Sequence, residues 1–245
     1  MRLGLILTVL LLLSISAEAQ TPSDTPPPPP LWTGNFSAGL ALTNGNTDTK
    51  NVNLGFALVR DPKKISIIRL SGLYLRGDKQ SVLIVNQTQF SVRDELALSP
   101  KLYAFSQGTY LKDTFKGIQN VYSGTAGLGY KLINNDSMSF AADSGLGGVW
   151  EHDIGHPRIG SGGYNAGERF SWKASKTTTV NQSISSLWKT NNWGDALHNF
   201  SASVAVSVSR HGEIKIEVLD TMKNHPQPGF KKNDTAMITA FVWKL

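Results

Sequence analysis

The chain has 245 residues, no cysteine and a formal net charge of +6, with 17% of its residues charged and no run of Lys and Arg longer than two. Without cysteine there is no disulfide framework and no lipid-modified cysteine anchor. Charge scattered in this way, with no basic patch or helix face, argues against a nucleic-acid partner.

The first element is a leader. Arg2 is followed by an apolar run from Leu3 to Ile15 and by the small-x-small pattern Ala17-Glu18-Ala19, which predicts a secretory signal peptide over residues 1–19. Residues 20–31 contain five successive prolines, Pro26 to Pro30, and predict a stiff polyproline II periplasmic linker. Past the leader, nothing approaches the roughly 20 uninterrupted apolar residues that a membrane helix needs.

From Trp32 the pattern changes to period two. Trp32, Phe36, Ala38, Leu40 and Leu42 share one parity, and Thr33, Asn35, Ser37 and Thr43 share the other, the signature of a strand with one apolar and one polar face. After a turn at Asn44 to Thr49 the alternation resumes with Val52, Leu54, Phe56 and Leu58, so the two segments read as a hairpin. The same signal recurs about twelve times, with starts near 32, 50, 65, 82, 101, 120, 137, 164, 179, 197, 213 and 235.

Every second junction is tight, as in residues 61–64, 98–101, 134–137, 173–176 and 210–213; those between are longer, most clearly 152–163, 189–196 and 223–233. An even strand number with alternating short turns and long loops predicts an all-β, antiparallel, up-and-down transmembrane barrel over residues 32–245. Tyr122 and Tyr130, and Tyr164 and Trp172, lie eight residues apart on apolar faces, while Met138 and Trp150 bracket another; this spacing fits two aromatic girdles. In residues 65–75 both parities are apolar, and Asn86 falls on the face of Phe90 and Val92, where a bulge would switch the parity.

Three ordered stretches, residues 39–58, 110–132 and 231–245, carry a family likeness. The turn Gly45-Asn46-Thr47-Asp48, the loop Asp113-x-Phe115-x-Gly117, the strand Gly127-x-Gly129-Tyr130 and the late pair Asp234-Thr235 resemble the salt-induced outer-membrane proteins of domain of unknown function 481. The resemblance covers nearly all of residues 32–245 and implies a β-barrel of unsettled function. Barrels of this kind commonly end in an aromatic residue read by the assembly machinery; here Phe241, Trp243 and Leu245 keep the alternation without a final aromatic.

If the apolar parity meets lipid, the polar parity fills the lumen with Asn53, Gln87, Gln89, Arg93, Glu95, Lys131, Asp143, Arg169, Lys215 and Glu217. Twelve strands lie between barrels filled by side chains and barrels that leave an open channel. Mixed charges either line a narrow pore of weak selectivity or close it with ion pairs. His152 and His156 share a loop with Glu151 and Asp153, which falls short of a convergent metal-ligand set. His198 beside a Ser-rich strand is the best available candidate for lipid-ester chemistry, without a motif to support it.

The expectation is therefore a Gram-negative outer-membrane barrel without cofactor, a narrow passive pore or a structural envelope barrel and not an enzyme. Its partners would be outer-membrane lipid, lipopolysaccharide and, during biogenesis, the barrel-assembly machinery. The alternatives are a lipid-modifying enzyme at the rim and a soluble periplasmic barrel that binds an apolar ligand inside.

Overall fold

The computed structural model describes residues 30–44, 49–62, 66–79, 82–226 and 228–245. The expected signal peptide, most of the proline linker and the turn Gly45 to Asp48 lie outside the described residues. The strands are β1 (Trp32–Asn44), β2 (Thr49–Arg60), β3 (Ser66–Lys79), β4 (Val82–Ala97), β5 (Leu102–Asp113), β6 (Ile118–Asn134), β7 (Met138–Asp153), β8 (Ile159–Lys173), β9 (Thr178–Lys189), β10 (Asn192–Ser207), β11 (Gly212–Lys223) and β12 (Asn233–Lys244).

Each strand pairs antiparallel with its chain neighbour, and β1 pairs with β12 from Asn35↔Lys244 to Asn44↔Thr235. The sheet is a closed barrel of twelve strands, so no row of backbone N–H and C=O groups is left at an edge. Up-and-down order places all the odd-to-even connections at one end, the loop end, and all the even-to-odd connections at the other, the turn end.

Three of the reversals at the turn end share one device. Ser99 Oγ accepts from the Leu102 amide at 2.9 Å, Asn135 Oδ1 from Met138 at 2.8 Å and Ser175 Oγ from Thr178 at 3.0 Å. A short polar side chain thus replaces a backbone acceptor in each reversal, which is why Ser and Asn stand at these positions.

The alternation decides the faces. Leu54, Tyr122, Leu128, Tyr130, Leu146, Trp150, Val204, Ile216, Phe241 and Trp243 are exposed on the outside of the barrel, and their neighbours on the other parity turn inward. Tyr110 and Tyr122 pack at a tilt, 5.0 Å apart, toward the loop end, where Tyr164, Trp188 and Trp193 form a second cluster; Tyr130, Trp172 and Trp243 mark the turn end. One outward region on β8 to β10 is polar, where Gln182 donates to Glu168 and Ser186 meets His198.

Two boundaries differ from the sequence expectation. β8 begins at Ile159, so residues 159–163 are strand and the connection before them is short. The glycines of that stretch carry no facial signal, yet they pair with β7 from Glu151↔Ile159 to Gly147↔Gly163 and leave room for Trp150, whose ring lies 3.4 Å from where a Cβ of Gly160 would be. β10 likewise begins at Asn192, with a register shift between Asn192 and Ala196. In β3 the odd residues, including Leu73 and Leu75, face inward; Leu75 packs on Ile238 and Ala240. The irregularity foreseen near Asn86 lies just before it, where the β3–β4 register shifts between Gly77 and Asp78.

Candidate functional site

The site is the lumen, and it is layered. Near the turn end, side chains from five strands meet in one network. Arg93 of β4 donates through Nε to Glu95 at 2.8 Å, through Nη1 to Gln107 of β5 at 2.7 Å and through Nη2 to Asp143 of β7 at 2.7 Å. Arg169 of β8 reaches Glu95 Oε1 at 2.7 Å, and Arg69 of β3 reaches Glu95 Oε2 at 3.2 Å. Tyr103 of β5 donates to Asp143 at 3.1 Å and accepts from Arg169 at 3.2 Å.

The Arg93 guanidinium lies over the Phe105 ring, 3.9 Å from its centroid. Arg93 and Glu95 are each only 5% exposed, whereas Arg69 and Arg169 expose 43% and 38% of their side chains, so this layer is a floor with a packed centre that narrows the lumen. The floor depends on glycine: a Cβ at Gly129 would sit 2.1 Å from the Tyr103 ring, and one at Gly145 would sit 3.0 Å from Phe105.

Toward the loop end, a second network joins β7, β9, β10 and β11. Lys223 binds Glu151 at 2.7 Å and Asp153 at 3.0 Å, while Lys189 binds Asp195 at 2.6 Å and also Glu151. Beneath it lies an apolar cluster of Leu111, Ile118, Val121 and Val149, flanked by Leu187 and Leu197. This side of the upper lumen is filled.

The remaining opening is crossed by the connection between β5 and β6. Thr114–Lys116 form a 3-10 turn in which Asp113 Oδ1 accepts from the Lys116 amide, and Gly117 takes φ 72°, the left-handed conformation that glycine adopts without cost. Lys116, only 3% exposed, extends to the far wall, donates to the Thr221 carbonyl of β11 at 2.6 Å and pairs with Asp234 of β12 at 3.4 Å. β5 and β11 stand on opposite sides of a twelve-strand ring, so this turn latches across the mouth.

Between floor and latch lies a cavity of about 430 Å³. Its middle wall is uncharged, with Ser71, Gln87, Gln89, Thr125, Ser183 and Asn199 set among apolar side chains such as Leu73, Leu187 and Leu219.

The sequence motifs thus fall on the obstructing layers. Asp113 and Gly117 shape the latch, Asp234 receives it, and Gly129 seats Tyr103 in the floor. Phe115 lies in the latch turn, Gly127 faces the lumen beside the Ser144 carbonyl, Tyr130 is on the outer wall, and Thr235 donates outward to Asp220 at 2.6 Å. The chain belongs to the DUF481 family. That family's model, described as a protein of unknown function, matches residues 36–244. Membership says nothing about salt induction and assigns no activity.

Similar solved structures include the NanC porin, at TM-score 0.59 and 9% identity over 86% of this chain and 100% of that one. An outer membrane channel from Pseudomonas putida F1 gives TM-score 0.52 and 10% identity over 93% of this chain and 100% of that one. At such identity the likeness is one of fold: the neighbours are outer-membrane porin barrels. No curated protein matches the chain in sequence.

Of the charged side chains expected in the lumen, Arg93, Glu95, Asp143 and Arg169 come together in the floor. Lys215 and Glu217 form a separate pair at 2.6 Å on β11, joined by Ser201, and Lys131 stands half-buried near the turn end beside the β6–β7 register shift. Asn53 is buried, its Nδ2 without a partner among the described residues.

Glu151 and Asp153 turn inward onto lysines, whereas His152, one position between them, takes the other face and His156 lies in the turn beyond. The four do not converge. His198 Nδ1 lies 2.8 Å from Ser186 Oγ on the outer wall.

Lys116, Lys189, Lys223, Tyr103 and Arg69 were not foreseen as site residues. Parity identifies Arg69, Lys189 and Lys223 as inward positions once the strand is placed. Nothing local marks Lys116, whose partners are more than a hundred residues away.

Proposed function

We propose that this chain is an outer-membrane channel of low resting conductance, a barrel in a Gram-negative envelope through which small hydrophilic solutes pass when the latch and floor yield. The observation that carries the reading is the cavity of about 430 Å³, lined by charged, polar and apolar side chains, inside a barrel whose outer wall is mostly apolar. The porin-like fold of its neighbours supports it. A soluble barrel that stores an apolar ligand would place its apolar parity inside, the reverse of this arrangement.

The test is single-channel recording of the refolded protein in a planar bilayer in potassium chloride, with folding verified by heat-modifiable mobility. Small discrete steps are expected, and substituting Arg93 and Glu95 together should enlarge them. A folded barrel that stays silent in both forms would sink the channel reading and leave a structural envelope barrel.

A lipid-modifying enzyme is the second reading, favoured by the Ser186–His198 contact on the outer wall. Among the described residues no Asp or Glu is bonded to His198, so the pair lacks the acidic partner that orients a catalytic imidazole. Release of fatty acid from phospholipid vesicles that disappears in Ser186→Ala would establish this reading.

A further inference from the structure

The cavity between floor and latch differs in chemistry from the layers that bound it. Four cations border the chamber, Arg69, Arg93 and Arg169 in the floor and Lys116 in the latch, and four carboxylates balance them, Glu95 and Asp143 in the floor and Asp113 and Asp234 at the latch. The fixed charges thus cancel over the chamber as a whole, and no net charge is left there to hold an ionised ligand. The middle wall offers hydroxyls and carboxamides.

Gln87 and Gln89 of β4 project into this space, and among the described residues neither side-chain amide has a protein partner. Each offers two donors and two acceptor lone pairs. Thr125 of β6 and Ser183 of β9 add hydroxyls from other walls. The volume is at the small end of the roughly 300–1,000 Å³ range of ligand sites.

From this we infer that the mid-lumen chamber is a binding site for a small neutral polyhydroxylated solute, of the mono- or disaccharide class, recognised chiefly by Gln87, Gln89 and Thr125. The inference rests on reading the lumen as a solute path and names what the path selects. Paired hydroxyl donors and acceptors on a sugar match carboxamides, which supply both at once. An apolar solute would leave those amides buried and unpaired, and an ionised one would give up its hydration for fixed charges that are already paired with one another.

The test uses the full folded barrel in detergent micelles with lactose and with lactobionate, its carboxylate counterpart, read by saturation-transfer NMR. This readout does not depend on conduction. Lactose is expected to receive saturation from the protein, and lactobionate less at equal concentration. Gln87→Leu with Gln89→Leu keeps volume but removes the amides, and should weaken lactose binding by roughly 2- to 10-fold for each hydrogen bond lost.

Thr125→Val, which exchanges a hydroxyl for a methyl at near-constant shape, is the companion variant should the leucine pair fail to fold. Its expected loss is that of a single bond. No transfer to lactose above that from empty micelles, equal binding in the variants, or stronger binding of lactobionate would each overturn the inference. Current steps without lactose binding would leave the channel reading standing alone; lactose binding in a silent barrel would support the chamber and count against the channel.

Discussion

Gly129 shows how one missing side chain supports a charged network. Its Cβ position is occupied by the Tyr103 ring, and Tyr103 in turn holds Asp143 and Arg169. Gly129→Val must displace the ring, and overpacking of this kind costs about 1–3 kcal/mol; the expected outcome is a lower guanidinium midpoint in lipid vesicles with an unchanged slope. Arg93 and Glu95 call for a different experiment because they share partners. Removing one member of a buried ion pair costs about 3–5 kcal/mol, since the other charge is left unpaired. Arg93→Met and Glu95→Leu should each be destabilising, and the double variant should lose clearly less than their sum, as expected for residues in direct contact. Additive losses would mean that the two do not act as a unit.

At the scale of the strand, the division into an outer apolar and an inner polar face gives opposite expectations for the same substitution. Leu146 stands near the middle of β7, 65% exposed on the outer wall, and Ser183 stands near the middle of β9 facing the chamber. In a bilayer, Leu146→Arg should cost about 2–4 kcal/mol of unfolding free energy, the penalty for a cation at the midplane of the lipid face. Ser183→Arg meets a lumen of mixed polarity and should cost no more than the repulsion of Arg169 directly opposite it, up to about 1 kcal/mol. Were the barrel surrounded by water, Leu146→Arg would be nearly silent, so the pair measures what solvates the outer wall. The faces behind this test were legible in the sequence because period two depends only on adjacent residues. Residues 159–163 were not, because glycine and serine give neither face a signal and only pairing with β7 makes them strand. The floor was legible only in part: parity puts Arg93, Glu95, Asp143 and Arg169 inside, but the contacts Arg93–Asp143 and Arg169–Glu95 depend on closure between strands that are neither sequence nor sheet neighbours.

In the whole molecule, the channel reading has floor and latch obstruct one path at two heights, and obstacles in series combine differently from obstacles side by side. Lys116→Met cuts the tie to Thr221 and Asp234 while keeping most of the apolar length of the side chain. If the lumen is the only path, ions released past the latch still meet the Arg93 network, so Lys116→Met alone should raise conductance modestly. The floor variant with Arg93 and Glu95 both replaced should do the same. Combined, they should raise the current by more than the product of the single effects, because removing one of two series resistances leaves the other in control. Recordings in a planar bilayer in potassium chloride decide it. A latch variant that opens fully by itself would show that the floor offers no barrier, and its ion pairs would then act only to hold the strands in register. Two effects that merely add would place the latch and the floor on separate routes, which a single closed ring of twelve strands does not provide.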